Sequence, residues 1–319
     1  MVIVTVTLNT SVDRTVEVPR FSIGGHLKGR LLRVQPAGKG VNVSRCLASL
    51  GVPSVVAGLV GARELPLFRA SFKGTQAKVK LVPVAQPTRT NTTILDPELG
   101  TDTHIREAGP TVARREIAAL RARLDGLASP DAVVVFCGSL PPGMTADDVA
   151  ALVVACQAKG AQVAADLNGP QLGVAVAARP LLIKPNVEEL GELLGRDLRQ
   201  APEGELLDAA RSVADRVGSV LLTRGRQGAI AVRGRIAGNP QGEAAACTAE
   251  IPSPRNTVGC GDAFLAGYLA GLWRGLAADD CLRQAVACGA AKALADAAGE
   301  IDPQQVAELA AKAVLRRLG

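Results

Sequence analysis

Asp262 stands in Asn256-Thr257-Val258-Gly259-Cys260-Gly261-Asp262-Ala263-Phe264, a segment that runs into a helical pattern continuing through Leu269 to Trp273. Two glycines at a helix start let exposed backbone N–H groups approach an anion closely, and the helix dipole favours negative charge there. The amides of Gly259, Cys260 and Gly261 therefore form a candidate anion cradle, with the Asp262 carboxylate in the first helical turn within reach of the same anion. A carboxylate beside a phosphate is electrostatically costly unless it has a task, such as accepting a proton from an attacking hydroxyl. The alternative is that Asp262 complements the helix dipole, as acidic residues in a first turn often do. A Rossmann dinucleotide site fits less well, because Phe264 occupies the third glycine position and the segment lies far from the first strand.

A second candidate is Pro36-Ala37-Gly38-Lys39-Gly40-Val41-Asn42-Val43-Ser44-Arg45, followed by a helix pattern to Leu50-Gly51. It is not a Walker A loop, since Lys39 is followed by Gly40 and no glycine stands five residues before Gly38. Glycines, a lysine and an asparagine together make a site for sugar hydroxyls or a phosphate; the same residues also suit a tight turn capping a helix, with Lys39 in solvent.

The elements that must position these segments follow from the apolar pattern. From about residue 130 onward, strand-like runs (132–137, 162–167, 181–184, 219–223, 228–232) alternate with helical patterns (145–159, 187–195, 204–216, 261–273, 279–298, 303–318). That order predicts an α/β fold, a doubly wound and mostly parallel sheet with helices on both faces. Residues 1–110 carry more short β-type runs, such as Lys78–Val84 and Thr90–Leu95, and more Gly, Pro and Thr punctuation, which predicts a small β-rich lid. No repeat or linker divides the chain, so residues 1–319 are expected to form a single domain with lid segments within about 10–35 and 78–108.

Composition excludes several other chemistries. The 319 residues are 48% hydrophobic and 21% charged, a globular balance. The Val2–Leu8 run has no basic stretch before it, so it reads as a first strand rather than a signal peptide, and no run approaches membrane-spanning length. Seven scattered cysteines without a Cys-x-x-Cys pair signal neither disulfides nor zinc and suit a reducing cytoplasm. His26 and His104 are too few for a histidine-based metal site or triad. The net charge of +6 is dispersed, and 2% aromatics leave little for bases to stack on, so small anionic substrates are expected rather than nucleic acid.

With further landmarks, the two glycine segments resemble the two signature regions of the ribokinase-like, or PfkB-type, carbohydrate kinases. The landmarks are Thr7–Asp13, Thr88-Arg89-Thr90-Asn91, Gly138-Ser139-Leu140-Pro141-Pro142-Gly143, Lys184-Pro185-Asn186-Val187-Glu188-Glu189-Leu190, and Thr223-Arg224-Gly225 with Gly228. The resemblance spans nearly the whole chain. It implies ATP and Mg²⁺ as cofactors, Asp262 as catalytic base, and the Gly259, Cys260 and Gly261 amides as the hole that stabilises the transferring phosphoryl group. It places Asp13, Gly38, Lys39 and Asn42 at the sugar. Asn186 and Glu189 match a pair that organises Mg²⁺ through its waters. Lys184, Thr223 and Gly225 match nucleotide contacts, with Gly228 close by and the helix around Ala287 to Ala290 flanking the adenine. Asn186 and Glu189 also read as an ordinary helix cap, Ser139 as shaping a Pro-Pro turn, and Thr223–Gly225 as a plain strand end.

Asn256–Gly259 and Thr88–Asn91 point within that family to the phosphofructokinase and tagatose-6-phosphate kinase branch. A substrate phosphate needs fixed cations, and Lys28, Lys39 and Arg89 are candidates, with Ser139 nearby. Fructose 1-phosphate, phosphorylated to fructose 1,6-bisphosphate, is the expected reaction; fructose 6-phosphate and tagatose 6-phosphate are the alternatives. A nucleoside kinase and a non-catalytic nucleotide sensor are further readings. Open lid edges suggest a homodimer formed through the lid.

Overall fold

The structure is a computed structural model that describes residues 1–234, 242–252, 254, 257–295 and 300–319. Its strands are β1 (Val2–Thr7), β2 (Ser11–Glu17), β3 (Arg30–Ala37), β4 (Ser54–Gly61), β5 (Lys78–Val79), β6 (Val82–Val84), β7 (Arg89–Asp96) and β8 (Thr101–Ile105) in the first part of the chain. They continue as β9 (Ala132–Gly138), β10 (Gln162–Leu167), β11 (Leu182–Ile183), β12 (Ser219–Thr223), β13 (Ala229–Arg233), β14 (Ala244–Thr248) and β15 (Val314–Leu318). The first helices are α1 (Lys39–Ser49), α2 (Leu65–Ser71), α3 (Arg114–Asp125), α4 (Ala146–Ala158) and α5 (Pro170–Ala177). The remaining ones are α6 (Val187–Leu194), α7 (Glu203–Ala214), α8 (Cys260–Trp273), α9 (Ala278–Leu294) and α10 (Pro303–Lys312).

The main sheet runs β15-β14-β13-β12-β11-β10-β9-β1-β4-β5, with β6 also on β4. From β12 to β6 it is parallel; β13, β14 and β15 complete it antiparallel. Because side chains alternate across a strand, β9 sends Val134 and Phe136 to one core and Val133, Val135 and Cys137 to the other. The first core is closed by α3 to α7, and the second by α1, α8, α9 and α10. Burial on both faces explains why these strands read as continuous apolar runs. The doubly wound parallel sheet expected from the alternation is what forms.

A separate four-stranded sheet, β3-β2-β7-β8, makes the lid. Two expectations are corrected. The β5 and β6 segments, read as lid, pair with β4 at the edge of the main sheet. The helical pattern predicted across 303–318 stops at Lys312, and Val314–Leu318 pairs antiparallel with β14. Its Leu315-Arg316-Arg317-Leu318 spacing is that of a helix face, and pairing along the edge of β14 overrides it.

The chain passes from β1 to β4 on one side and later from β9 to β10 on the other, so the winding direction changes between β1 and β9. Ligands in such sheets bind beyond the carboxyl ends of the strands at that point.

Candidate active site

A cavity of about 1320 Å³ opens at those strand ends and is roofed by the lid. Strand termini supply most of its polar groups, because a backbone leaving a sheet exposes its next side chains there. Asn9 follows β1, Ser139 follows β9, Asp166 lies in β10, Lys184 follows β11 and Thr223 ends β12.

Helix α8 points its N-terminus at the cavity. Gly259 precedes it with φ +80, a left-handed conformation that suits glycine, and turns the Cys260 and Gly261 amides towards the opening. The first N–H groups of a helix lack intrahelical partners, and the Cys260 N–H reaches Thr257 O over only 3.5 Å. Lys184 lies alongside: a Cβ added to Gly261 would stand 3.4 Å from its Nζ. The amides, the helix dipole and an ammonium therefore converge, which is an arrangement for phosphate oxygens.

Asp262 is buried in the first turn of α8, and its Oδ2 accepts a hydrogen bond from Asn42 Nδ2 at 2.8 Å. Burial and then the neighbouring Asp166 charge push its pKa up to about 6, against the Asn42 hydrogen bond, Lys39 and Lys184. A carboxylate poised near neutrality and still charged at pH 7 is suited to taking a hydroxyl proton.

Asp166 was not foreseen from the sequence. It is fully buried and pairs through Oδ1 with Lys39 Nζ at 3.0 Å and Lys184 Nζ at 3.2 Å, while its Oδ2 has no partner among the described residues. Burial disfavours its charge, but Lys184 and Lys39 outweigh that and hold its pKa below the ordinary carboxylate value. Lys39 also reaches Glu189 Oε1 at 3.5 Å. Burial opposes the Lys39 charge as well, yet Asp166, Glu189 and Asp262 keep its pKa above the usual lysine value. The only sequence signal for Asp166 was an acidic residue inside an apolar run just before Asn168-Gly169-Pro170.

The glycine loop is explained by close approach. Gly38 has φ +124, and a Cβ there would meet Thr7 Cγ2 at 2.6 Å, so the loop lies flush on the end of β1. That seats Lys39 at the start of α1, facing the cavity. On the lid, Asp13 Oδ1 accepts from Ser11 Oγ at 2.8 Å and Asn91 Nδ2 at 2.9 Å, which fixes the carboxylate at the cavity wall. Arg89 donates to Asn9 O at 3.0 Å and Glu107 O at 3.2 Å, tying the lid to the strand ends.

Asn186 and Glu189 form a reciprocal capping box at α6: Asn186 Oδ1 accepts from the Glu189 N–H at 2.8 Å, and Glu189 Oε2 accepts from the Asn186 N–H at 2.9 Å. The helix-cap reading of this pair holds, while the second Glu189 oxygen faces Lys39 and the cavity. Thr223, Gly225 and Gly228 line the far end of the cavity with Gly289 and Ala290. Two predicted residues lie elsewhere. Ala287 is fully buried in the α8–α9 core, while Ala290, one turn on at the other end of the span expected beside the adenine, lines the cavity. Lys28 sits exposed on the β2–β3 connection, outside the cavity lining. Asn256, which pointed to the phosphofructokinase branch, lies outside the described residues. The lid residues His104 and Arg106 also line the cavity without having been singled out.

Known proteins resemble this chain in sequence and in fold. Residues 6–305 match the pfkB family of carbohydrate kinases. The chain is 37% identical over 303 residues to a 1-phosphofructokinase of Rhodobacter capsulatus, covering 94% of this chain and 92% of that one. It is 30% identical over 299 residues to a 1-phosphofructokinase of Bacillus subtilis, covering 93% and 94%. Among solved structures, phosphofructokinase-2 from Escherichia coli in complex with substrates and products superposes with a TM-score of 0.88 at 24% identity, over 98% of this chain and 99% of that one. Arabidopsis thaliana ribokinase with ribose and ATP superposes at 0.71 and 20% identity, over 97% and 98%. These two structures bear on the fold. The chain belongs to the pfkB family of carbohydrate kinases, and it is an ATP-dependent phosphotransferase.

Proposed function

We propose that the chain phosphorylates fructose 1-phosphate with ATP to give fructose 1,6-bisphosphate. The observation that carries the chemistry is the Asp262 carboxylate, one oxygen held by Asn42, beside the Gly259–Gly261 amides and Lys184 in one cavity. The acceptor hydroxyl sits between Asp262 and the amide cradle, held by Asp13 from the lid. Asp262 takes its proton as the oxygen attacks the γ-phosphorus, and the Gly259, Cys260 and Gly261 amides hold the charge that builds on the transferring group. Lys39 and Lys184 supply positive charge, and Thr223, Gly225 and Gly228 receive the nucleotide. The choice of acceptor is supported by the names of the relatives at 37% and 30% identity.

Mg²⁺ fits this site as the counter-ion that neutralises the ATP phosphates. Glu189 Oε1 and the orphaned Asp166 Oδ2 are the oxygens that would face it or its waters. Among the described residues no three His, Cys, Asp or Glu side chains form a metal cage, which agrees with an ion that arrives on its substrate.

The lid exposes Leu27, Leu31, Leu32, Val34 and Ile105, a set of apolar side chains suited to a second copy of the same sheet in a homodimer. No helix among the described residues is long and apolar enough to cross a membrane. None of the seven cysteines is in a disulfide, which favours the reducing cytoplasm.

A coupled ADP-release assay over fructose 1-phosphate, fructose 6-phosphate, tagatose 6-phosphate, fructose and adenosine tests the reading. Highest kcat/KM on fructose 1-phosphate is expected. Preference for another acceptor would replace the substrate, and silence on every acceptor would favour a nucleotide sensor.

A further inference from the structure

Arg45 is outside the cavity lining, yet it touches the residue that touches the base. It follows Asn42 by three positions on α1, a spacing that places two side chains on one helix face. Its Nη1 donates to Asn42 Oδ1 at 3.3 Å, and its Nη2 to Pro36 O at 2.7 Å. The guanidinium also lies 6.0 Å from the centre of the Phe72 ring, so three neighbours fix its plane. Asn42 in turn donates from Nδ2 to Asp262 Oδ2 at 2.8 Å.

A carboxamide can be seated in two orientations that exchange its donor and acceptor ends. Arg45 offers only donors and a charged Asp262 only acceptors, so a single orientation of Asn42 satisfies both. The reversed amide would set its NH₂ against the guanidinium and its oxygen against the carboxylate. Asp262 is thereby held at Oδ2, and Oδ1 has no hydrogen bond to any described residue.

We propose that Arg45 is a positioning residue for phosphoryl transfer: it locks the Asn42 amide with its N–H towards Asp262, which commits Oδ2 and presents Oδ1 as the oxygen that takes the hydroxyl proton. This rests on the reading of Asp262 as the base. The other charged groups around Asp262 are Asp166, Lys39 and Lys184, with Lys292 of α9 across Gly259, and those around Arg45 are Arg33, Lys292, Asp13 and Glu300; the buried Cys46 thiol faces both. None of these is in hydrogen-bond contact with Asn42 in place of Arg45.

The test is steady-state kinetics with fructose 1-phosphate and ATP on Arg45→Met, Arg45→Lys, Asn42→Ala, the Asn42→Ala/Arg45→Met double variant and Asp262→Asn, each corrected for folded fraction. Arg45→Met is expected to lower kcat about tenfold, with KM for ATP unchanged and the acid limb of kcat/KM moved to higher pH, because the charged base loses its ordered donor. Arg45→Lys keeps an apolar stem over Phe72 but not the two-pronged guanidinium, and an intermediate loss is expected in a chain with less packing damage. In the Asn42→Ala background Arg45→Met should cost nothing further in kcat, since its path to the base is already cut. Unchanged kcat and an unmoved acid limb in both Arg45 variants, or equal losses with and without Asn42, would overturn the proposal. An inactive Asp262→Asn alongside those results confines the failure to Arg45; an active Asp262→Asn removes the base itself.

Discussion

Asp262 and Asp166 are buried carboxylates that draw on the same two lysines: burial first, then the Asp166 charge, push the Asp262 pKa up to about 6, while Asn42, Lys39 and Lys184 pull it down. The acid limb of kcat/KM should therefore fall near pH 6, with activity lost below it as the base protonates. Asp166→Asn removes one raising charge and releases both ammonium groups from their partner, so the limb should move to lower pH. A pH–rate profile checks this, and an unmoved limb would show that the two carboxylates do not communicate.

Asp262→Asn should reduce kcat by about two to four orders of magnitude while ATP still binds, because the base acts only as the hydroxyl attacks. The same substitution should stabilise the fold at neutral pH. A carboxyl whose folded pKa is raised contributes stability below its unfolded value and loses it as pH rises through the folded value, here about 6. The variant's advantage in Tm should thus be small below about pH 4, grow as pH rises to about 6 and stay level above that. Thermal melts across that range check the sign, and more than a tenth of wild-type kcat would remove Asp262 from the mechanism.

Cys260→Ala should leave kcat within about twofold of wild type, since the cradle uses the Cys260 backbone N–H and alanine supplies the same group. Burial pushes the thiol up to about 11, so it carries no thiolate chemistry near neutrality. Lost turnover in a folded Cys260→Ala enzyme would assign the sulfur a role.

Most of the site was legible because glycine, lysine and acidic residues stand in short runs whose spacing survives folding, as in Gly38–Asn42 and Gly259–Asp262. Asp166 was not, because its meaning depends on two lysines 127 and 18 residues away in sequence that meet it only when β10, β11 and α1 assemble. Ala287 and Ala290 were expected together and lie one helical turn apart on different faces, since an alanine-rich helix has no polar stripe to show which face meets the cavity. The β15 strand was hidden for a related reason: pairing with β14, not local pattern, ends α10 at Lys312.

That one-turn difference is testable. Ala290→Leu should raise KM for ATP with little change in KM for the sugar if the nucleotide sits where proposed, because the added atoms enter the cavity. Ala287→Leu should instead overpack the α8–α9 core and lower stability by about 1–3 kcal/mol. Paired kinetics and melts distinguish the two; the opposite pattern would put Ala287 back at the adenine.

Arg89 decides how the acceptor phosphate is held. Its terminal nitrogens brace Asn9 O and Glu107 O, and its Nε is buried with no partner among the described residues, so the guanidinium is fixed in place at the cavity wall. Arg89→Ala should raise KM for fructose 1-phosphate about ten- to a hundredfold, the value of a charge-assisted contact, with KM for ATP little changed. Arg89→Lys keeps the charge but cannot span both carbonyls, and it should recover only part of the loss. The alternative is that Arg89 only braces the lid. Bracing alone would weaken fructose 1-phosphate and unphosphorylated fructose equally, whereas a phosphate contact penalises only the phosphorylated sugar. Equal losses on the two acceptors would take Arg89 out of the phosphate site and leave Lys39 and the lid cation Arg106 to hold that charge.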